Sequence, residues 1–112
     1  MATIAPVPPR HQAFPVEDVT KTLVHELLLI AKDEAQVSGI ALPGDRPGMM
    51  AAGVPMDSLS VVATLVSVEQ HLGFELKESI VQTGGYNSVQ AAIDHLVPRI
   101  RLAWGMQRPK NA

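Results

Sequence analysis

The chain has 112 residues, nine Lys and Arg against eleven Asp and Glu, and no cysteine; it suits one domain with a limited core, and disulfides, thiolate metal sites and any native thiol chemistry are excluded. With 46% hydrophobic but only 4% aromatic residues, the core is expected to be aliphatic, as in a small helical bundle. No run is long and apolar enough to span a bilayer, and no basic stretch precedes an apolar one at the N-terminus, so stable membrane insertion and secretion are not expected and a cytoplasmic location is.

Residues 1–15 contain Pro6, Pro8, Pro9 and Pro15 with no apolar period. They read as a flexible N-terminal arm, with a docking peptide as the functional alternative. A first helix is predicted from Pro15 to about Val37. Pro15 suits the first helical position, and Glu17 and Asp18 put negative charge in the first turn. Val16, Val19, Leu23, Leu27, Ile30 and Ala31 recur at steps of three and four, which predicts a core-facing stripe.

Ser38 to Met56 is rich in Gly and Pro and reads as a long connection, pinned to the core by Ile40, Leu42, Met49, Met50 and Val54. It contains no G-x-x-x-x-G-K-[ST] pattern, so it is not a phosphate loop. The connection stops at Gly53-Val54-Pro55-Met56-Asp57-Ser58-Leu59-Ser60, and a second helix is predicted from Ser58 to about Leu72. Asp57 is a preferred N-cap type, because its carboxylate can accept a first-turn N–H. That puts the Ser58 hydroxyl at the first helical position, in solvent, beside free N–H groups and the positive end of the dipole. Such a site favours a phosphate. Val61, Leu65, Val68 and Leu72 form one apolar stripe, Leu59, Val62 and Val66 an adjacent one, and Ser60, Thr64, Ser67 and His71 a polar remainder.

Gly73 is a candidate C′ residue, Lys77 to about Gln82 a short third helix, and Gly84-Gly85-Tyr86 a turn. Asn87 and Gln90 can act as a capping pair for a fourth helix running to about Val97. Val89, Ala92, Ile93 and Leu96 are expected inward, and Pro98 is expected to end or kink the helix. The helical bundle is thus bounded at 16–98, followed by a basic C-terminal tail, 99–112. All eleven acids and four bases (Lys21, Lys32, Arg46, Lys77) fall in 16–98, while the tail holds Arg99, Arg101, Arg108 and Lys110 and no acid. An acidic body argues against nucleic acid and favours basic partner surfaces. For the tail, Ile100 and Trp104 are expected to patch the bundle, with an amphipathic docking or membrane-surface segment as the alternative.

Three segments together resemble an acyl carrier protein: Asp57-Ser58-Leu59; then Glu69-Gln70-His71-Leu72-Gly73-Phe74-Glu75-Leu76; then Asn87-Ser88-Val89-Gln90-Ala91-Ala92-Ile93-Asp94-His95-Leu96. The resemblance covers roughly residues 16–98. It implies an all-α fold, a small four-helix bundle of three longer helices and one short one, with a long loop after the first helix. It also implies that a phosphopantetheinyl transferase attaches 4′-phosphopantetheine to Ser58, that Asp57 helps to place Mg²⁺ and coenzyme A there, and that Leu59 completes the motif. The chain would then be no enzyme but a monomeric carrier of an acyl thioester for acyl-loading and transferring enzymes of fatty-acid, polyketide or related biosynthesis. An aminoacyl or peptidyl carrier, served by aminoacyl-loading enzymes, is the alternative within the fold. A helical adaptor without a prosthetic group is the alternative outside it.

The sequence departs from the family on its second helix. Ser60, Ala63 and Gln70 stand where acids are usual, and only Glu69 remains. That points to a specialised partner set or to apolar recognition, with Val61, Val62, Val66 and Glu69 as candidate partner or cargo contacts. A nucleophilic role for Ser58 lacks support, because Asp57 and Leu59 replace the glycines of a G-x-S-x-G elbow. His11, His25, His71 and His95 lack ligand spacing, so no structural metal site is expected.

Overall fold

The chain is seen in a computed structural model that describes residues 13–106. The readings of the arm before Ala13 and of the tail after Met106 lie outside the described residues. Four α-helices and one 3-10 turn make up the described part, and it contains no strand.

The longest helix, α1 (Val16–Ser38), is the common partner of the two other long helices, α3 (Ser58–Leu72) and α4 (Val89–Met106). Val19, Leu23, Leu27 and Ala31 are buried as the stripe predicts. Val24, Leu28 and Ala35 join them, because a helix wedged between two neighbours buries a wider face than one stripe. Val16 is exposed instead, and Ile30 is only half-buried. Pro15 occupies the N-cap position rather than the first turn, and the Val19 N–H bonds its carbonyl at 3.0 Å.

The long connection is not structureless. It contains a six-residue helix, α2 (Arg46–Ala51), that packs on α4. Asp45 caps it, its carboxylate accepting from the Gly48 N–H at 2.7 Å, and Pro47 sits in the first turn, where its missing N–H does no harm. No α2 side chain is buried; Val54, further on, is fully buried and anchors the connection. The short helix therefore lies before α3. The stretch expected to hold a short third helix, 77–82, forms only a 3-10 turn, Glu78–Ile80.

The helix α3 begins and ends where predicted. Asp57 caps its start, and Gly73 closes it at φ +82°, a left-handed conformation that glycine adopts at no steric cost. Thr64, expected on the polar face, is buried. Its hydroxyl donates to the Val61 carbonyl at 2.7 Å, so the helix itself satisfies the only polar atom carried inward.

Two expectations for α4 fail. Its cap is Ser88, whose hydroxyl accepts from the Ala91 N–H at 3.0 Å, because the Asn87 backbone is turned toward Val54. The helix also does not stop at Pro98 but continues to Met106. A proline inside a helix costs about 3 kcal/mol. Burying Ile100 and Trp104 returns roughly 1.5–3 kcal/mol each, which offsets that cost. Trp104 also packs edge-on against Phe14, at 5.9 Å between centroids, and lies 6.4 Å from Phe74. The last two turns of α4 are thereby held against the ends of α1 and α3.

Candidate functional site around Ser58

The position of Ser58 is set by two loops held side by side. The segment before α3 and the segment before α4 pair through their backbones. Val54 N–H donates to the Asn87 carbonyl at 2.8 Å, Met56 N–H to Tyr86 at 2.8 Å, and Tyr86 N–H back to Met56 at 2.9 Å. Val54, Met56 and Tyr86 are all buried, so the pairing is locked from the core side. Gly85 makes it possible. A Cβ there would come within 1.9 Å of the Met56 carbonyl oxygen and 2.9 Å of the Asp57 Cα, and φ at Gly85 is +84°. No side chain fits between these backbones.

The Tyr86 side chain extends the clamp toward α4. Its hydroxyl accepts from the Gln82 N–H at 2.9 Å and lies 2.6 Å from His95 Nδ1. This contact joins the clamp to α4. Burial raises the Tyr86 pKa, opposed by the Gln82 hydrogen bond and the Arg99 charge. Burial, and then the same Arg99 charge, lowers the His95 pKa. Both shifts favour the neutral form of the group. Gln82 closes the turn by donating from Nε2 to the Gly85 carbonyl at 2.9 Å.

Ser58 stands at the end of this frame as the first residue of α3, half-buried. The Asp57 carboxylate does not point at it, but accepts from the Ser60 N–H at 2.7 Å. The Val61 N–H reaches the Asp57 carbonyl at 3.2 Å. Neither the Ser58 hydroxyl nor the N–H groups of Ser58 and Leu59 find a partner among the described residues. A hydroxyl beside two free amides and a helix dipole can carry an anionic substituent. A hollow of about 290 Å³ opens on the Asp57 side of the clamp, lined by Glu34, Asp57, Tyr86 and Asn87 among others, with Ser58 outside its walls. Among the described residues no group placed as a general base hydrogen-bonds the hydroxyl.

Along α3 the other candidates separate by face. Leu59 is 81% and Val66 59% exposed, while Val62 is half-buried beside them. This uncharged apolar stripe runs from Ser58 toward Glu69. Val61 is fully buried in the core, which corrects its reading as a surface contact for a partner. A helix with so wide an apolar face left its inward stripe undecided. Val62 and Val66 border a shallow groove of about 210 Å³ whose rim carries Glu69, Glu75 and Glu78. Glu69 is partly used internally, its carboxylate accepting from the Leu76 N–H at 2.7 Å.

The residues that sequence reasoning missed are Gly85, Tyr86 as a clamp, and His95. His71, by contrast, is exposed and paired with the Thr22 hydroxyl at 2.8 Å. Among the described residues no group of three His, Asp or Glu is placed to hold a metal, and no helix is long and apolar enough to cross a membrane. The chain matches no family model, no curated protein and no solved structure.

Proposed function

We propose that the protein is a carrier of the acyl-carrier type, with Ser58 as the attachment point of 4′-phosphopantetheine. The observation that carries the reading is the Ser58 hydroxyl: first residue of α3, partly exposed, and without a hydrogen-bond partner among the described residues. The surroundings fit the group. The adjacent carboxylate, Asp57, is engaged with the Ser60 N–H. From Ser58 to Val68 the helix carries no charged side chain, so the charges an arm along it would meet lie at the two ends, Asp57 and Glu69.

When bound, the group supplies a terminal thiol that holds an acyl unit as a thioester. The chain's own contribution is positional. The paired 54–56 and 85–87 backbones hold Ser58 at the surface, and the Leu59–Val62–Val66 stripe offers an apolar face to a partner or to cargo. An uncharged stripe favours partners that bind by apolar contact, with weak salt dependence. Acyl cargo is the first reading and aminoacyl cargo the second.

Intact mass after incubation with coenzyme A, Mg²⁺ and a broad-specificity phosphopantetheinyl transferase tests the assignment. The wild type is expected to gain one arm and Ser58→Ala none. An unchanged mass for the folded wild type leaves the adaptor reading in its place. Loading the holo form with acyl or aminoacyl donors then separates the two carriers.

A further inference from the structure

A groove lies at the far end of α3 from Ser58. Leu72 ends that helix fourteen residues on, roughly 21 Å along the axis. The groove runs between the 74–80 loop and the last two turns of α4, with a volume of about 400 Å³, within the range of small-ligand sites. Its apolar walls are Phe74, Leu76, Ile80, Leu102, Ala103 and Met106. Leu102 is 65% and Met106 73% exposed, so two large apolar side chains stand in water along one edge. The existence of this groove depends on α4 continuing past Pro98, since three of those six residues come from the continuation.

Its charges are asymmetric. Lys77 and Arg99 line it, together with Glu75 and Ser79. Glu75 also borders the smaller groove on the α3 side, where Glu69 and Glu78 stand, so negative charge gathers on that flank. On the α4 flank the charge that lines it is Arg99, and Asp94 is the last acid in the sequence. Arg99 gives one N–H to the His95 carbonyl at 3.3 Å and has further donors to offer.

We propose that this groove binds a single-chain anionic amphiphile, of which a long-chain monocarboxylate is the simplest case. The hydrocarbon chain covers Leu102, Met106 and the Phe74 side of the groove. The carboxylate pairs with Lys77 and Arg99. A neutral head group forgoes that pairing, and a cationic one is repelled by it. The site is non-covalent and independent of Ser58.

Trp104 provides the readout. It is the single tryptophan, it is buried, and its ring lies 6.4 Å from Phe74 on the groove wall. Titrating the full chain with dodecanoate below its micelle concentration is expected to change Trp104 emission saturably. Dodecyltrimethylammonium is expected to bind at least tenfold more weakly. Leu102→Asp, with its circular dichroism unchanged, is expected to abolish the dodecanoate response; Met106→Glu serves the same purpose if that variant does not fold. The double variant Lys77→Glu with Arg99→Glu is expected to weaken dodecanoate at least tenfold and leave dodecanol unaffected. Equal affinity for the two head groups, or an unchanged response in a folded Leu102→Asp or Met106→Glu variant, overturns the proposal. So does pelleting with phosphatidylglycerol vesicles without any response to monomeric dodecanoate, which would make the surface a bilayer-docking face.

Discussion

The start of α3 and the end of α4 are both places where the chain does something locally unfavourable, and they are held by opposite means. At the start of α3, two loop backbones lie against each other with no side chain between them. Directional bonds fix them: Met56 with Tyr86, Val54 with Asn87, and the Tyr86 hydroxyl with Gln82 and His95. At the end of α4, a helix runs through a proline because Ile100 and Trp104 are buried beneath it. Hydrogen bonds have angles and lengths, so they decide where a group sits. Apolar burial has little direction, so it decides whether an element stays down. The frame around Ser58 uses the first, and the end of α4 uses the second.

The sharpest way to break this contrast is Trp104→Ala. Removing a buried Trp is expected to cost about 3–5 kcal/mol in urea unfolding. Trp104→Phe, which keeps most of the apolar volume, is expected to cost less than about 1.5 kcal/mol. If both variants lose the same amount, directional contacts hold that end after all. Next comes Gly85→Ala. Its Cβ meets the Met56 carbonyl at 1.9 Å, so overpacking and left-handed strain together are expected to cost about 3 kcal/mol. Asn tolerates positive φ, yet Gly85→Asn is expected to fare no better, because the collision remains. A rescue by Asn would reduce the effect to backbone strain alone. The smallest effect is electrostatic. The His95 pKa is lowered in the folded state, so the unfolded chain binds the proton more readily. This contribution is complete above the unfolded value of about 6.5 and fades as pH falls through the folded one. Melting temperature is therefore expected to fall on acidification below about pH 6.5, with a shallower slope in His95→Gln. Equal slopes for the two proteins would remove His95 from the clamp's energetics.

The helix α3 was legible because its signals are local: an Asp cap, an apolar period and a closing glycine within seventeen residues, 57–73. The helix α2 carried a signal of the same kind in Asp45 and Pro47, but it is short, and the surrounding glycines and prolines masked it. Pro98 misled because a local rule was outweighed by burial two and six residues further on. Leu96, Ile100 and Trp104 at steps of four were the available hint. Thr64 misled because its hydroxyl bonds the helix backbone and the residue then packs as an apolar one. The Tyr86–His95 pair and the approach of Gly85 to Met56 depend on two loops meeting in space, which no spacing in the sequence encodes. Ser58 and Asp57 could be placed at the helix start from sequence, whereas the inward turn of Val61 and the outward turn of Leu59 and Val66 required the neighbours of α3.

Pro98 has no amide hydrogen for the Asp94 carbonyl, so α4 is a helix with a seam. Unzipping the turns beyond it breaks no rung at that step, and fraying from Met106 has a natural stopping point there rather than running on to Val89. Amide hydrogen exchange should register two populations along one helix, a quicker one after residue 98 and a slower one before it. The groove wall is therefore expected to exchange faster than the frame around Ser58.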